Sequence, residues 1–424
     1  MQDRFNKNWK TKFFSIWTGQ AFSLLGSQVV QFTLIWYLTK ETGSAAVLAT
    51  STFVSLLPNV FFAPFIGALV DRWDRKRIMI FSDLMIALIT FVLIILFKTD
   101  QIKIGYIYIA LFLRELGGVF HWPSMRSSTS LLVPNDQMAR VEGMNQSMRG
   151  LINVVGPPLA ALLLDASPIH NILLIDIVTA VIAVAPLLFV SIPKPVTDAG
   201  QKITSARELW NDVKVGFNYL WNWKGMFLLT ITATLLNFLI NPGFTLSPLL
   251  VTQHFSGGAI QLSLVESVFG IGVILGGIIL STWGGFKKRI LTSLSGIIGM
   301  GVGMLLIAIA PTDQFKVALA GMFITGMMNP IANGALTAIM QSNVKPEMQG
   351  RVFTTLNSMA SAMSPISMVI AAPVAGIVGI QGWFYIGGLG CIVISLFGLT
   401  NSAMMNIEKE GQHRTQTEKT EGKE

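Results

Sequence analysis

The chain has 424 residues, of which 52% are hydrophobic and only 12% charged, too few charges to cover a soluble globule of that size. Its formal net charge of +8 reflects where Lys and Arg sit around apolar runs and gives no argument for a nucleic-acid partner. A single cysteine, Cys391, excludes an internal disulfide, and His121, His170, His254 and His413 are scattered without metal-ligand spacing, so neither a metal nor a cofactor is expected.

Crossing about 30 Å of hydrocarbon takes about 20 apolar residues in a helix, and the chain supplies such runs from end to end. Spans are predicted near residues 13–38, 45–70, 78–97, 104–127, 139–164, 170–191, 226–252, 261–283, 290–310, 316–341, 351–378 and 381–404, twelve in all, which makes an all-α integral membrane protein. No small-residue cleavage site follows the first run, so it is expected to remain as a helix. The 192–224 segment holds Pro193, Pro195, Gly200 and mixed charges and reads as a cytoplasmic linker, with a surface helix near Thr204–Tyr219 anchored by Trp210, Phe217 and Tyr219. From about Met405 onward Glu, Lys, Gln, Thr and Gly dominate, and this tail is expected to be disordered.

Basic residues set the orientation, because cytoplasmic loops carry the excess of Lys and Arg. Of the 30 basic residues, Lys40, Lys98, Lys103 and Lys316 fall on one side, Arg114 lies inside a span, and the rest gather on the other side. Both termini are therefore expected in the cytoplasm of a multi-pass plasma-membrane protein. Asp83, near the inner end of its span, is expected to support the charged turn at Arg72–Arg77.

That turn, with Gly67, Asp71, Arg72, Asp74, Arg75 and Arg77 between two apolar runs, resembles the loop between the second and third helices of major facilitator superfamily transporters. It departs from the family at Asp74, where Gly is usual. The resemblance implies a gating latch. Two further stretches are similar to family motifs: Arg114, Glu115, Gly117 and Gly118 in the fourth span, associated with proton coupling, and Gly156-Pro157 in the fifth, associated with antiporters. Ala160 and Ala161 replace the usual terminal Gly pair of the second motif. Packing explains Gly156 and Pro157 as well as a hinge does.

An internal repeat fits the same family. Val133, Pro134, Asp136, Arg140 and Val141 recur half a chain later as Val344, Pro346, Glu347, Arg351 and Val352, and Lys287-Lys288-Arg289 sits where a second charged turn is expected. The expected organisation is an N-terminal six-helix half over 1–191, the linker at 192–224, a C-terminal six-helix half over 225–404 and the tail at 405–424.

Ionisable residues inside spans are costly and mark function or a buried partner. Arg114 and its sequence neighbour Glu115 point about 100° apart on a helix, so their partners are expected on other helices. Asp176 and Glu266 are further candidates for proton or cation binding, against an interfacial placement. Gln20, Ser27, Gln28 and Gln31 fall on one side of the first span. Gln146, Arg149 and Asn153 make a similar face, as do Asn237 with Asn241 and Asn329 with Asn333 at i, i+4 spacing. These faces line a cavity or bind neighbouring helices.

The chain has no phosphate-binding Gly-x-x-x-x-Gly-Lys-Ser/Thr loop and is not expected to be an enzyme. Trp17-Thr18-Gly19-Gln20, Thr42-Gly43-Ser44-Ala45, the Asp71-Arg72 turn, Leu132-Val133-Pro134 and Gly350-Arg351-Val352-Phe353 resemble the macrolide-efflux group of bacterial facilitators. The resemblance implies a monomer, surrounded by lipid, that exports macrolide-type or similar amphipathic drugs in exchange for protons. Export of a siderophore, flipping of a lysophospholipid, with Arg114 and Arg149 as ligands of an anionic headgroup, and a non-transporting receptor or assembly role remain alternatives.

Overall fold

The computed structural model describes residues 9–70, 73–192, 206–344 and 346–411. In order, its helices are α1 (Trp9–Thr42), α2 (Ala45–Val70), α3 (Arg75–Lys98), α4 (Ile104–Leu132), α5 (Met138–Ala166), α6 (Ile169–Phe189), α7 (Ala206–Trp221), α8 (Lys224–Leu249), α9 (Ala259–Trp283), α10 (Arg289–Ile309), α11 (Phe315–Asn343), α12 (Pro346–Thr400) and the short α13 (Ser402–Met405). Among the described residues ten helices are long and apolar enough to cross a membrane. Helix α3 shows why. Phe81, Leu84, Leu88, Phe91 and Ile95 are exposed, while Ser82, Asp83 and Thr90 are buried; this inside-out pattern suits lipid around and polar contacts within.

Several boundaries differ from the sequence expectation. The runs expected at 351–378 and 381–404 do part where expected: α12 is two helices joined across a kink at Gly379, whose φ of 76° and ψ of 169° suit a residue without a Cβ, and the first of them starts earlier, at Pro346. Helix α8 passes at its end into a π-helical turn, Leu250–His254. The tail expected to be disordered from Met405 continues as helix over 407–411, because one apolar residue anchors it: Ile407 is fully buried and packs beside Gly225. Residues 412–424 lie outside the described residues, as does the linker segment 193–205 and the side chain of Trp210. Phe217 stacks on Trp221 at 5.9 Å and meets Phe227 of α8 edge-on at 6.2 Å, so this expected anchor packs against its own unit.

Two compact units emerge, one built on α1, most of α2 and α3–α6, the other on α7, α8, most of α9 and α10–α13. In the first, α1 lies against α6 through small residues. A Cβ on Gly19 would come 2.9 Å from the Ile182 carbonyl oxygen and 3.1 Å from Ala183 Cα, both backbone atoms that cannot turn aside. In the second, Gly296 of α10 meets the backbone of Ala332 of α11, and Gly301 meets the Gly388 carbonyl of α12. Such close approach is how helices associate where lipid removes the hydrophobic drive. Gly19→Ala is therefore expected to destabilise the protein by about 1–3 kcal/mol, read as earlier thermal unfolding in detergent. Gly105→Ala, where a Cβ meets nothing within 4 Å, serves as control; equal unfolding of the two variants would contradict the packing argument.

Candidate functional site: a polar cluster in the first unit and an amide-lined cavity in the second

Helices α1, α3, α4 and α6 enclose a buried ionic cluster. Arg114 of α4 is 7% exposed and Asp176 of α6 is 2% exposed, so neither charge is neutralised by water. They pair directly, Arg114 Nη1 donating to Asp176 Oδ2 and to Thr90 Oγ1 of α3. Thr90 Oγ1 donates to Asp176 Oδ2 at 2.6 Å, and Ser27 Oγ of α1 donates to Asp176 Oδ1 at 3.0 Å. The carboxylate thus has partners from three helices, which is what a buried charge needs to be tolerated.

Glu115, the next residue on α4, accepts a hydrogen bond from Asn59 Nδ2 of α2. It borders two cavities. One, of about 380 Å³, is lined by Gln20, Ser27, Gln28, Gln31, Asp83, Arg114, Glu115 and His121 among others. The second, of about 590 Å³, shares Gln28, Glu115 and His121 and adds Asn59, Trp122, Arg149 and Asn153. The Arg149 guanidinium carbon lies 3.0 Å over the Trp122 ring, a cation–π contact. Its Nη2 is buried without a hydrogen-bond partner among the described residues.

The polar face of α1 is thereby drawn into the site. Arg149 and Asn153 of α5 also reach it, whereas Gln146 does not: it is exposed and donates to Glu142 Oε1 at 3.2 Å, one turn back on its own helix. Gly156 of α5 is closed by packing, since a Cβ there would lie 2.6 Å from Gln28 Cγ, and the helix continues through Pro157.

Asp83 also differs from expectation. Among the described residues it has no partner in the charged turn; it is buried, accepting from Gln20 Nε2 at 3.0 Å, with His121 Nε2 3.5 Å from its other oxygen. His121 has no metal-ligand spacing to single it out in the sequence. His121 follows Arg114 by seven residues, and Thr90 follows Asp83 by seven, two helical turns in each case; that shared face was the available signal. Trp122 and Asn59 carried no such signal, being apolar-run residues until a neighbour is known.

At the charged turn, Asp71 and Arg72 lie outside the described residues, and Gly67 falls in the last turn of α2. Asp74 caps α3, its Oδ1 accepting from the Arg77 backbone N–H at 3.3 Å, and Arg77 Nε is 3.7 Å from its Oδ2. This N-cap role accounts for a carboxylate where the family has Gly. Arg75 is buried and donates to the Ser127 carbonyl of α4 at 3.1 Å, while Lys76 Nζ donates to the Leu188 carbonyl at the end of α6 at 3.1 Å. Cations so placed satisfy late helix carbonyls.

In the second unit, Asn237, Asn241, Asn329 and Asn333 converge on a cavity of about 320 Å³ with Phe244, Phe269, Ser293 and Met300 on its walls. Asn241 Nδ2 donates to Ser364 Oγ of α12 at 2.7 Å. Asn237 and Asn333 donate to carbonyls one turn back on their own helices, at 2.9 and 3.1 Å. Glu266 of α9 is half-buried one turn before Phe269.

Residues 16–364 match the Major Facilitator Superfamily. The chain belongs to that superfamily. It is 36% identical over 390 residues to macrolide efflux protein A of Streptococcus pyogenes, covering 92% of this chain and 95% of the relative. It is 24% identical over 372 residues to the multidrug efflux pump Tap of Mycolicibacterium fortuitum, covering 85% and 87%. Among solved structures, an inward-facing bacterial homologue of the iron transporter ferroportin aligns with a TM-score of 0.70 at 12% identity, over 94% of this chain and 98% of that one, a likeness of fold alone. The facilitator is thus a multi-pass membrane transporter, and a polar, cation-bearing cluster inside its spans is the natural place for its chemistry.

Proposed function

We propose that this facilitator exports macrolide-type antibiotics and related amphipathic drugs across the bacterial plasma membrane in exchange for protons. The observation that carries the reading is the 36% identity to macrolide efflux protein A along 92% of the chain. Its architecture is twelve spans in two six-helix halves with both termini cytoplasmic. The ten membrane-length helices, the more polar α4, and the division of α12 at Gly379 support that count. Alternating access then rocks the halves, with the Asp71-Arg72 turn and its neighbours Arg75 and Arg77 as the cytoplasmic latch.

Within this scheme Arg114 and Asp176 hold the first unit together, while Glu115, whose one hydrogen-bond donor among the described residues is Asn59 and which opens on two cavities, receives the amine of a cationic drug. The Asn-lined cavity offers amide groups to the drug's oxygens, and Glu266 is a second carboxylate available for proton exchange. Lipid surrounds the molecule, which works as a monomer. Proton and drug oppose each other by linkage: what weakens drug binding on protonation also expels the proton on drug binding.

Expression in a macrolide-sensitive, pump-deficient bacterium tests the reading. Cells carrying the chain are expected to accumulate less labelled erythromycin and to lose that difference when the proton gradient is collapsed. Equal accumulation with and without a well-expressed chain would reject drug export and favour the lipid or siderophore alternative.

A further inference from the structure

Three carboxylates share the interior of the first unit, and their surroundings differ. Asp176 is saturated: a guanidinium and two hydroxyls donate to it. Adding a proton there would leave Arg114 buried beside a neutral acid, the costly half of a broken pair. Asp83 has no Lys or Arg partner among the described residues. It is 4% exposed, with one donor, the Gln20 amide, on Oδ2. His121, 6% exposed, faces its Oδ1 at 3.5 Å, beyond a good hydrogen bond for these groups. His121 Nε2 and Gln20 Oε1 are buried and lack hydrogen-bond partners among the described residues. A carboxylate and an imidazole therefore stand slightly apart in a buried place, and both line the 380 Å³ cavity.

We propose that Asp83 and His121 form the proton-binding dyad of the first unit, taking one proton from the cavity and holding it between Nε2 and Oδ1. The proposal rests on the proton-exchange reading above and deepens it. Among the described residues, the charged groups on the walls around the dyad are Arg114 and Glu115 of α4, and Arg149 of α5, with Asp176 of α6 bound to Arg114. Among the described residues, the polar groups that α1 and α2 contribute to these walls are neutral, Gln20, Ser23, Ser27, Gln28 and Gln31 from α1, Ser55 and Asn59 from α2. With carboxylates ionised, two cations face three carboxylates, so one proton on the imidazole brings the cluster to neutrality. Imidazole is also the side chain whose ordinary titration falls between pH 5 and 8. A cationic drug entering beside Glu115 supplies the same positive charge, and the dyad then releases its proton to the cavity water. Proton and drug are thus exchanged without sharing an atom.

The test uses the purified full-length protein in detergent, with erythromycin as probe, in weakly buffered solution. Wild type is expected to release protons on erythromycin addition; Asp83→Asn and His121→Gln are expected to bind erythromycin and lose the release, and Asp83→Glu to keep it. Wild-type release from both Asp83→Asn and His121→Gln overturns the dyad and leaves proton exchange standing. No release from wild type at any pH overturns proton exchange itself, and the dyad with it. Should either variant fail to fold, nitrogen NMR of the imidazoles in unmodified protein decides, with signals assigned by removing His170, His254 and His413 in turn. The His121 titration midpoint is expected to shift on erythromycin addition; an unmoved midpoint overturns the proposal.

Discussion

Asp176→Ala is expected to leave little folded protein, while the double variant Arg114→Met/Asp176→Leu recovers most of it and still fails to transport. The single change strands the Arg114 guanidinium, 7% exposed, without its carboxylate, and breaking one side of a buried pair costs about 3–5 kcal/mol. That is a large part of the marginal stability of any fold. Removing both charges removes both desolvation costs, so apolar side chains of similar volume are tolerated. Thr90 keeps an acceptor in the Ile86 carbonyl at 3.0 Å, which prevents a new unsatisfied hydroxyl there. Thermal unfolding and size-exclusion profiles of the three proteins in detergent check this. A single variant as stable as wild type would mean that the pair carries no structural weight, and a fully active double variant would mean that it carries no functional weight.

Glu115→Gln is expected to weaken binding of a cationic macrolide by roughly ten- to a hundredfold, the size of one charge-assisted hydrogen bond of about 1.5–3 kcal/mol. Gln preserves the volume and still accepts from Asn59 Nδ2, so stability is expected to hold. Binding of an analogue whose dimethylamino group is replaced by a neutral hydroxyl is expected to change little. Titration calorimetry with the two ligands separates the outcomes, because an equal loss for both would place Glu115 in shaping the cavity rather than in meeting the charge.

Much of the fold is legible in the sequence because membrane spans announce themselves by length and composition alone. The start of α2, α3, α6 and α9 was readable to within a few residues. The division of α12 was legible too, because the apolar runs 351–378 and 381–404 part at Gly379, where the backbone leaves the helical region. Ile407 shows a failure, since one apolar residue in a polar tail gains its meaning only from the surface of α8 that receives it. In the site, an intramembrane Arg demands a partner on another helix, and Asp176 met that demand. The sequence could not say that it was Asp176 rather than Glu115 or Asp83, because helix packing decides which of three acids faces one base. Gln146 shares helical spacing with Arg149 and Asn153, yet it is exposed and hydrogen-bonds Glu142 four residues earlier, while the other two line the cavity.

Reconstituted transport decides the central claim. Purified protein in proteoliposomes, without nucleotide, is given an imposed pH gradient, and labelled erythromycin is followed across the membrane. The account predicts that erythromycin accumulates on the acidic side beyond the passive partition of this weak base in protein-free vesicles, that an ionophore collapsing the pH gradient abolishes the excess, and that reversing the gradient reverses it. Erythromycin movement that only equilibrates, at a rate indifferent to the imposed pH gradient, would contradict proton-driven export.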